Sequence, residues 1–269
     1  IKPRKPRILD MCMAPGGFLQ SAMDTNRRAT ALAFSLPVSQ GGHKVQLRDK
    51  RKVDIRLLDI TMLAEDMGVA DIPADHPDVD NFLPRQFDPG DVFDLAFCDG
   101  QVLRTQPRAE YRERYEAHRL TAAQLALSVE HLRPGGTMVV LFHRIEAWAT
   151  LLRIRAISKF ADVTTFKPTT SHTIKSSFYL VAKNVRSRSP EALEAVKEWK
   201  RVWKVGTFGP EKQDEGMLPR EGPDAHEVVA DFGDELVRLG RGVWEIQADA
   251  LEKAPFISRQ SVESAAEAL

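Results

Sequence analysis

The sequence has little of what several classes of protein require. Only two cysteines occur in its 269 residues, which excludes a disulfide framework and a cysteine-based zinc cage, and no metal site is predicted. No apolar run reaches about 18 residues, so no membrane-spanning helix is expected. The basic N-terminus is not followed by an apolar segment, so no signal peptide is expected. The predicted location is intracellular, either cytoplasmic or nuclear.

A net charge is also missing, because 38 basic residues balance 38 acidic ones. The charges are nevertheless unevenly distributed. Residues 210–269 carry 14 acidic and 6 basic side chains, which leaves 24 acidic and 32 basic side chains in residues 1–209. A basic N-terminal part suits a surface that binds phosphates, although such an imbalance is also common by chance.

An apolar run followed by two glycines opens the organised part of the chain. Residues 8–20 read Ile-Leu-Asp-Met-Cys-Met-Ala-Pro-Gly-Gly-Phe-Leu-Gln. A short strand, a small-residue turn and a helical pattern from Phe18 predict the first unit of a doubly wound nucleotide-binding sheet. The glycines let the backbone approach a ligand closely, and the helix N-terminus favours negative charge.

This stretch resembles the first motif of the FtsJ-like ribose 2'-O-methyltransferases, since it reads Asp-x-x-x-Ala-Pro-Gly-Gly-Phe-x-Gln. The resemblance implies a Rossmann-like α/β fold, with helices on both faces of a mostly parallel sheet, and S-adenosylmethionine as the cofactor. It implies that Asp59 binds the adenine amino group, and that Ser35 stands where related folds carry an acid for the ribose. The implied cofactor-binding residues are Asp10, Cys12, Ala14, Pro15, Gly16, Gly17, Phe18, Ser35, Asp59, Ile60 and Asp99.

A later strand pattern resembles the family's fourth motif. Residues 92–100 read Val-Phe-Asp-Leu-Ala-Phe-Cys-Asp-Gly, and the Cys-Asp-Gly ending is usual in the tRNA-acting branch. Asp99 therefore matches the family's catalytic aspartate. It should lie at the carboxyl end of a central strand, beside the glycine turn, where such sheets place their ligands.

The rest of the family's Lys-Asp-Lys-Glu catalytic tetrad is altered. Residues 132–140 read Leu-Arg-Pro-Gly-Gly-Thr-Met-Val-Val and resemble the lead-in to the central lysine, but Leu141 stands at that position. Ser177 stands where the family carries the glutamate. The candidate catalytic substitutes are His143, which lies on the same face of the strand as residue 141, and Lys167.

Residues 102–119 are basic and carry two tyrosines. Arginines pair with phosphates and aromatic rings stack on bases, so this composition is typical of a nucleic-acid surface. A plain exposed helix explains it about equally well. Arg104, Arg108 and Arg112 are the candidate RNA contacts, and tRNA or rRNA is the expected partner.

The resemblance predicts a methyltransferase domain over residues 1–184 and a helical extension over residues 185–269, packed on or beside that domain. Ser189 followed by proline is a helix-start signal. Trp199 and Trp203 are interpreted as docking anchors of the first added helix, and these helices are also candidates for binding a protein partner. The helices are predicted over residues 190–205 and 226–251, the second with one or two glycine breaks.

Three functions stay open. The predicted one is an S-adenosylmethionine-dependent methyltransferase of the FtsJ-like RNA ribose 2'-O type that uses an altered catalytic set. The alternative is a catalytically inactive pseudo-methyltransferase that serves as an RNA- or protein-binding scaffold. A third possibility is an α/β methyltransferase with a small-molecule acceptor that needs no lysine base.

Overall fold

A seven-stranded sheet forms the centre of the computed structural model, which describes residues 5–103, 106, 109–209 and 223–254. The strand order is β3-β2-β1-β4-β5-β7-β6, and β7 runs antiparallel to both of its neighbours while the other pairs are parallel. This confirms the predicted α/β fold with a mostly parallel sheet. The strands are β1 (Arg7–Asp10), β2 (Thr30–Ser35), β3 (Val53–Leu57), β4 (Phe93–Cys98), β5 (Leu132–His143), β6 (Asp162–Phe166) and β7 (Ser177–Val185).

Helices cover both faces of the sheet. Successive side chains of each strand point to opposite faces, and both faces carry apolar side chains that have to be buried. Leu9 of β1 joins the larger apolar cluster, which includes buried residues of four helices, whereas the preceding Ile8 joins a smaller cluster with Leu19 of the first helix. Two cores therefore form back to back. The helices are α1 (Gly17–Thr25), α2 (Glu110–Glu113), α3 (Glu116–His131), α4 (Trp148–Ser158), α5 (Pro190–Phe208) and α6 (Ala225–Glu252).

The glycine turn joins β1 to α1 as the sequence pattern predicts. Gly16 has φ +112°, which L-residues with a side chain rarely adopt, and a Cβ there would lie 2.8 Å from the Leu47 side chain. The positive φ is what requires glycine at this position, since the end of the Leu47 side chain can shift. It lets the chain turn directly from the end of the strand into the helix.

Residues 133–136 differ from the turn that their proline and glycines predict. The helix α3 does end at His131, but β5 begins at the next residue and continues through Gly135, whose φ is +83°. The pairing is irregular here, with register shifts on both the β4 and the β7 side. Leu132 pairs with β4 and Gly136 with β7, so the Pro-Gly-Gly stretch between them is an irregular part of β5.

The start of α5 agrees with the helix-start signal in the sequence, whereas the middle of α6 lacks the predicted glycine breaks. Ser189 caps α5, accepting a hydrogen bond from the Ala192 N–H at 3.3 Å. By contrast, α6 runs unbroken through its glycines, and the Trp244 ring covers the space beside Gly240. In the described ranges, none of the helices combines the length and apolar character needed to cross a membrane.

A candidate cofactor site beside Asp99

A cavity of about 660 Å³ opens at the carboxyl ends of the strands. It lies where β1 is flanked by β2 on one side and β4 on the other, so the crossovers leave a crevice between them. Open α/β sheets place ligands at this topological switch point. Seven of the predicted cofactor residues line it: Cys12, Ala14, Pro15, Ser35, Asp59, Ile60 and Asp99.

The other four predicted cofactor residues do not line the cavity. Asp10 is 1% exposed, and its carboxylate accepts the Cys12 N–H at 3.3 Å. Phe18 packs edge-on against Tyr179, with ring centroids 5.1 Å apart. Gly16 and Gly17 form the start of α1. These four residues therefore belong to the glycine turn and its two flanking elements, outside the cavity lining.

Asp99 follows the last residue of β4 and faces the cavity. Its Oδ1 is buried and has no hydrogen-bond partner among the described residues. Burial raises the pKa of this carboxyl to about 6. Burial and the charge of Asp99 together raise the pKa of Asp10 well above its ordinary value. Two carboxyls thus share one poorly hydrated region, a situation that proteins maintain mainly at functional sites.

Gln124 of α3 fixes the backbone beside Asp99, and the sequence analysis did not single it out. Its side-chain amide accepts the Gly100 N–H at 2.9 Å and donates to the Gly100 carbonyl at 3.2 Å. A Cβ at residue 100 would collide with the Cys12 sulfur, so only glycine fits there. The Asp-Gly pair was visible in the sequence, but its partner on a distant helix was not.

The two cysteines are both free thiols. Burial, followed by the charges of Asp99, Asp10 and Asp59, raises the pKa of Cys12 well above its usual range. Burial likewise raises the pKa of Cys98 to about 12, and its sulfur lies 3.1 Å from the Ser128 hydroxyl. Both therefore remain protonated at neutral pH, as small buried side chains do.

Asp59 has two roles at once. Its Oδ1 caps the short 3₁₀ turn Ile60–Met62, accepting from the Thr61 N–H at 2.9 Å and from the Thr61 hydroxyl at 2.8 Å. Its Oδ2 lies 3.5 Å from the Arg112 guanidinium. One carboxylate oxygen therefore caps the turn and the other faces Arg112, while Asp59 as a whole lines the cavity.

Arg112 does not face solvent as an RNA-contacting side chain would. The side chain is 12% exposed and lies within 3.5–3.7 Å of the carboxylates of Asp59, Asp78 and Glu116. These contacts do not support a phosphate contact for this arginine, since carboxylates already surround it. Arg104 and Arg108 lie outside the described residues.

The two other candidate catalytic residues, His143 and Lys167, do not line the cavity. The Lys167 ammonium donates to the carbonyls of Lys175 at 2.6 Å and Ser177 at 2.9 Å, so it holds the loop before β7. His143 ends β5 opposite Ser177, and burial, with the charges of Lys175 and Lys167, lowers its pKa. These contacts do not support a catalytic role for either residue.

Leu141 and Tyr179 occupy the cavity wall instead. They are paired residues on β5 and β7, and both contribute to the lining together with Asp99. Burial and the charge of Asp99 raise the pKa of Tyr179, so its hydroxyl stays protonated. Tyr179 was not identified from the sequence, although its register opposite residue 141 is the signal that could have found it.

The cavity wall also includes side chains from the long loop before β4 and from α2 and α3. Asp80, Asn81 and Leu83 come from the loop, and Arg112 and Glu116 from the helices. The described residues contain no group of three His, Cys, Asp or Glu placed to hold a metal ion. The site thus combines carboxylates, a small-residue turn and a phenol.

Comparison with solved structures finds methyltransferases to which the chain is similar at low identity. An rRNA methylase from Streptococcus thermophilus is 11% identical, with a TM-score of 0.41 over 67% of this chain and 87% of that one. Human methyltransferase-like protein 13, in complex with S-adenosylhomocysteine, is 13% identical, with a TM-score of 0.39 over 85% and 89%. The N-methyltransferase NodS from Bradyrhizobium japonicum, also in complex with S-adenosylhomocysteine, is 14% identical, with a TM-score of 0.40 over 66% and 78%.

Comparison with curated proteins gives no match. The sequence itself matches the FtsJ-like methyltransferase family over residues 1–185, which include the glycine turn, Asp99 and all seven strands. The match covers well over half of the chain and ends where β7 ends. The chain belongs to the FtsJ-like methyltransferase family.

Proposed function

We propose that this protein transfers a methyl group from S-adenosylmethionine to a ribose 2'-hydroxyl of RNA, and that Asp99 is its remaining catalytic residue. The observation that carries the proposal is the buried Asp99 oxygen beside the cavity at the switch point, which has no hydrogen-bond partner in the part of the chain that the structure describes. The family supports a methyltransferase, and the finer RNA 2'-O assignment rests on the motif around Asp99.

The cofactor of this family is S-adenosylmethionine, and the cavity fits it chemically. When bound, this cofactor supplies a methyl group on a positively charged sulfur. Burial raises the pKa values of Asp10 and Asp99, and no cation within the described ranges lowers either of them, so a positively charged ligand would favour their ionised forms. Ser35, Asp59, Ile60 and Cys12 are the lining residues that would hold the rest of the molecule.

Asp99 can accept the proton that the acceptor hydroxyl loses. With a pKa of about 6, the carboxyl is mostly ionised at pH 7, so it is available as a base. A cofactor bound beside Asp99 would supply the methyl group, and the carboxylate would take the proton that the acceptor hydroxyl loses. Leu141 can neither donate nor accept a proton, so we expect a slow enzyme.

An inactive scaffold is the second candidate, and Leu141 is the observation that favours it. The family's central lysine is replaced by an apolar side chain that lines the cavity. Neither His143 nor Lys167 replaces it. A protein of this kind would bind cofactor or RNA without turnover.

Calorimetric titration with S-adenosylhomocysteine tests the cofactor site first. We expect micromolar binding to the wild type and roughly 10- to 100-fold weaker binding to Asp59→Asn, which loses a charged hydrogen-bond acceptor. Asparagine is as good a cap as aspartate, so the Ile60–Met62 turn should persist. Asp54→Asn, at the exposed start of β3, is the matched control and should bind as the wild type does.

The result that contradicts the cofactor site is the absence of detectable S-adenosylhomocysteine binding to a folded wild type. If binding is present, transfer of radiolabelled methyl groups to total RNA separates the two candidates. Label in RNA that nuclease digestion assigns to 2'-O-methylated nucleotides supports the enzyme. Binding without any label supports the scaffold.

RNA affinity should depend on the two arginines that remain candidates for phosphate contacts. For Arg104→Ala/Arg108→Ala we expect weaker RNA binding and a salt-dependence slope lower by about 1.5, since each single-strand phosphate contact contributes about 0.7. The control is Arg51→Ala/Lys52→Ala, an exposed basic pair just before β3, at the opposite end of the sheet from the cavity. An unchanged slope in the first variant would count against RNA as the acceptor.

A further inference from the structure

We propose that the last two turns of α5, which lie outside the family domain, are a positioning element of the cofactor site. This inference rests on the proposed cofactor site and goes beyond it. The family match ends at residue 185, whereas α5 spans Pro190–Phe208. Near its end, the appended helix contacts the segments that form the cavity wall, through Trp203, Thr207 and Phe208.

Trp203 makes the first contact with the cavity wall. It is fully buried, and its indole N–H donates to the Thr61 carbonyl at 2.9 Å. On its other side, Thr61 donates both its N–H and its hydroxyl to Asp59. The turn that presents Asp59 and Ile60 to the cavity is therefore held from behind by a helix 142 residues further along the chain.

Arg119 of α3 makes a second link between α5 and the same carbonyl. This side chain is 0% exposed, and its guanidinium donates to the Thr61 carbonyl at 3.1 Å, to Glu116 at 2.8 Å and to the Thr207 hydroxyl at 2.9 Å. Thr207 in turn donates to the Trp203 carbonyl at 2.7 Å. Two buried donors thus converge on one carbonyl oxygen, and α5 supplies or orients both.

The end of α5 also supports the loop that forms another part of the wall. The Thr207 carbonyl lies 3.0 Å from the His76 ring nitrogen, and Phe208 stacks on Phe82 at 5.6 Å. This loop continues into Asp80, Asn81 and Leu83, which line the cavity.

The arrangement predicts an effect on cofactor affinity, because a ligand binds more tightly to a site whose residues are already ordered before it binds. If Thr61 loses one of its two buried donors, the Ile60–Met62 turn is freer before the ligand binds, and ordering it then costs affinity. A helix that only covered apolar surface would change stability without changing affinity. This difference separates a positioning role from a structural one.

The test compares two identical substitutions on one helix by S-adenosylhomocysteine calorimetry and thermal unfolding. Trp203→Phe removes the N–H bonded to Thr61, and we expect binding about five- to tenfold weaker than wild type. Trp199→Phe is the matched control, since Trp199 is 5% exposed on the same helix and packs against Phe160 instead of Thr61. It should lower the melting temperature similarly while binding as the wild type does.

A second pair keeps the inference testable if Trp203→Phe does not fold. Thr207→Val removes the hydroxyl that receives the Arg119 hydrogen bond and should weaken binding severalfold, whereas Thr207→Ser keeps the hydroxyl and should restore it. Equal affinities within each pair, measured on folded proteins, overturn the inference while leaving the cofactor site intact. If the wild type does not bind S-adenosylhomocysteine, the cofactor site itself fails, and the positioning role fails with it.

Discussion

Asp99→Asn should lower methyl transfer by roughly 10²- to 10⁴-fold while changing S-adenosylhomocysteine affinity far less. The amide keeps the shape of the side chain but cannot accept the hydroxyl proton, and losses of this size are typical when a general base is removed. Asp99 is the only one of the three candidate catalytic residues that lines the cavity in the described part of the chain. Single-turnover transfer at saturating cofactor is the measurement.

The pH dependence gives an independent check on the same residue. Because the pKa of Asp99 is about 6 in the free protein, the wild-type rate at limiting cofactor should rise about tenfold per pH unit below pH 6 and level off above it. The variant should keep a flat, low profile. A wild-type rate that does not change between pH 5 and 7 would show that another group takes the proton.

Although Asp99→Asn should lower the rate of methyl transfer, it should raise the free energy of unfolding above pH 6. The pKa of this carboxyl is raised in the folded state above its ordinary value of 3.8, so the folded protein binds more protons than the unfolded chain between pH 4 and 6. The free energy of unfolding therefore falls as pH rises through this window. Removing the charge should restore about 1–3 kcal/mol at pH 8, measured as a higher melting temperature. At pH 4 the variant and the wild type should be nearly equal.

Leu141→Lys should raise the rate of methyl transfer, by about 10²-fold if proton transfer limits the slow enzyme. Residue 141 lines the cavity with Asp99 and Tyr179, so a lysine there would extend toward the carboxylate. Its ammonium would lower the pKa of Asp99 and supply the donor that the family's tetrad normally contains. The measurement is the initial rate of label transfer to RNA at pH 7.5.

Leu141→Met is the matched control for this gain, because it conserves volume and adds no charge. Its rate should equal that of the wild type. If Leu141→Lys folds and binds S-adenosylhomocysteine but transfers no more label than Leu141→Met, lysine loss is not what limits activity. The inactive scaffold would then gain support over the slow enzyme.

The sequence by itself determined the fold class and the central features of the site. Two local rules were enough for this. Apolar strand patterns ending in Gly-Gly or in Asp99-Gly100 marked where strands stop, and a parallel sheet brings those ends to one edge. Gly16 could be predicted because its left-handed backbone is a local requirement. The family motif then supplied the cofactor.

Only the tertiary structure decided what the charged side chains do. Arg112 stands in a basic segment, yet it turns inward because acids from positions 59, 78 and 116 converge on it. Lys167 was a candidate catalytic residue, yet backbone carbonyls of Lys175 and Ser177 hold its ammonium. The amino-acid composition cannot show such partners, because the orientation of a charged side chain depends on which acceptors the fold places near it.

The contact between α5 and the cavity wall also could not be predicted from the sequence. The tryptophan pattern predicted a docked helix but not that Trp203 would bond to Thr61, because these residues are 142 positions apart. Strand ends and glycine turns are decided by the backbone preferences of a few neighbouring residues. The partner of a buried indole or guanidinium is decided by packing of the whole chain, since every buried donor must find an acceptor wherever the fold supplies one.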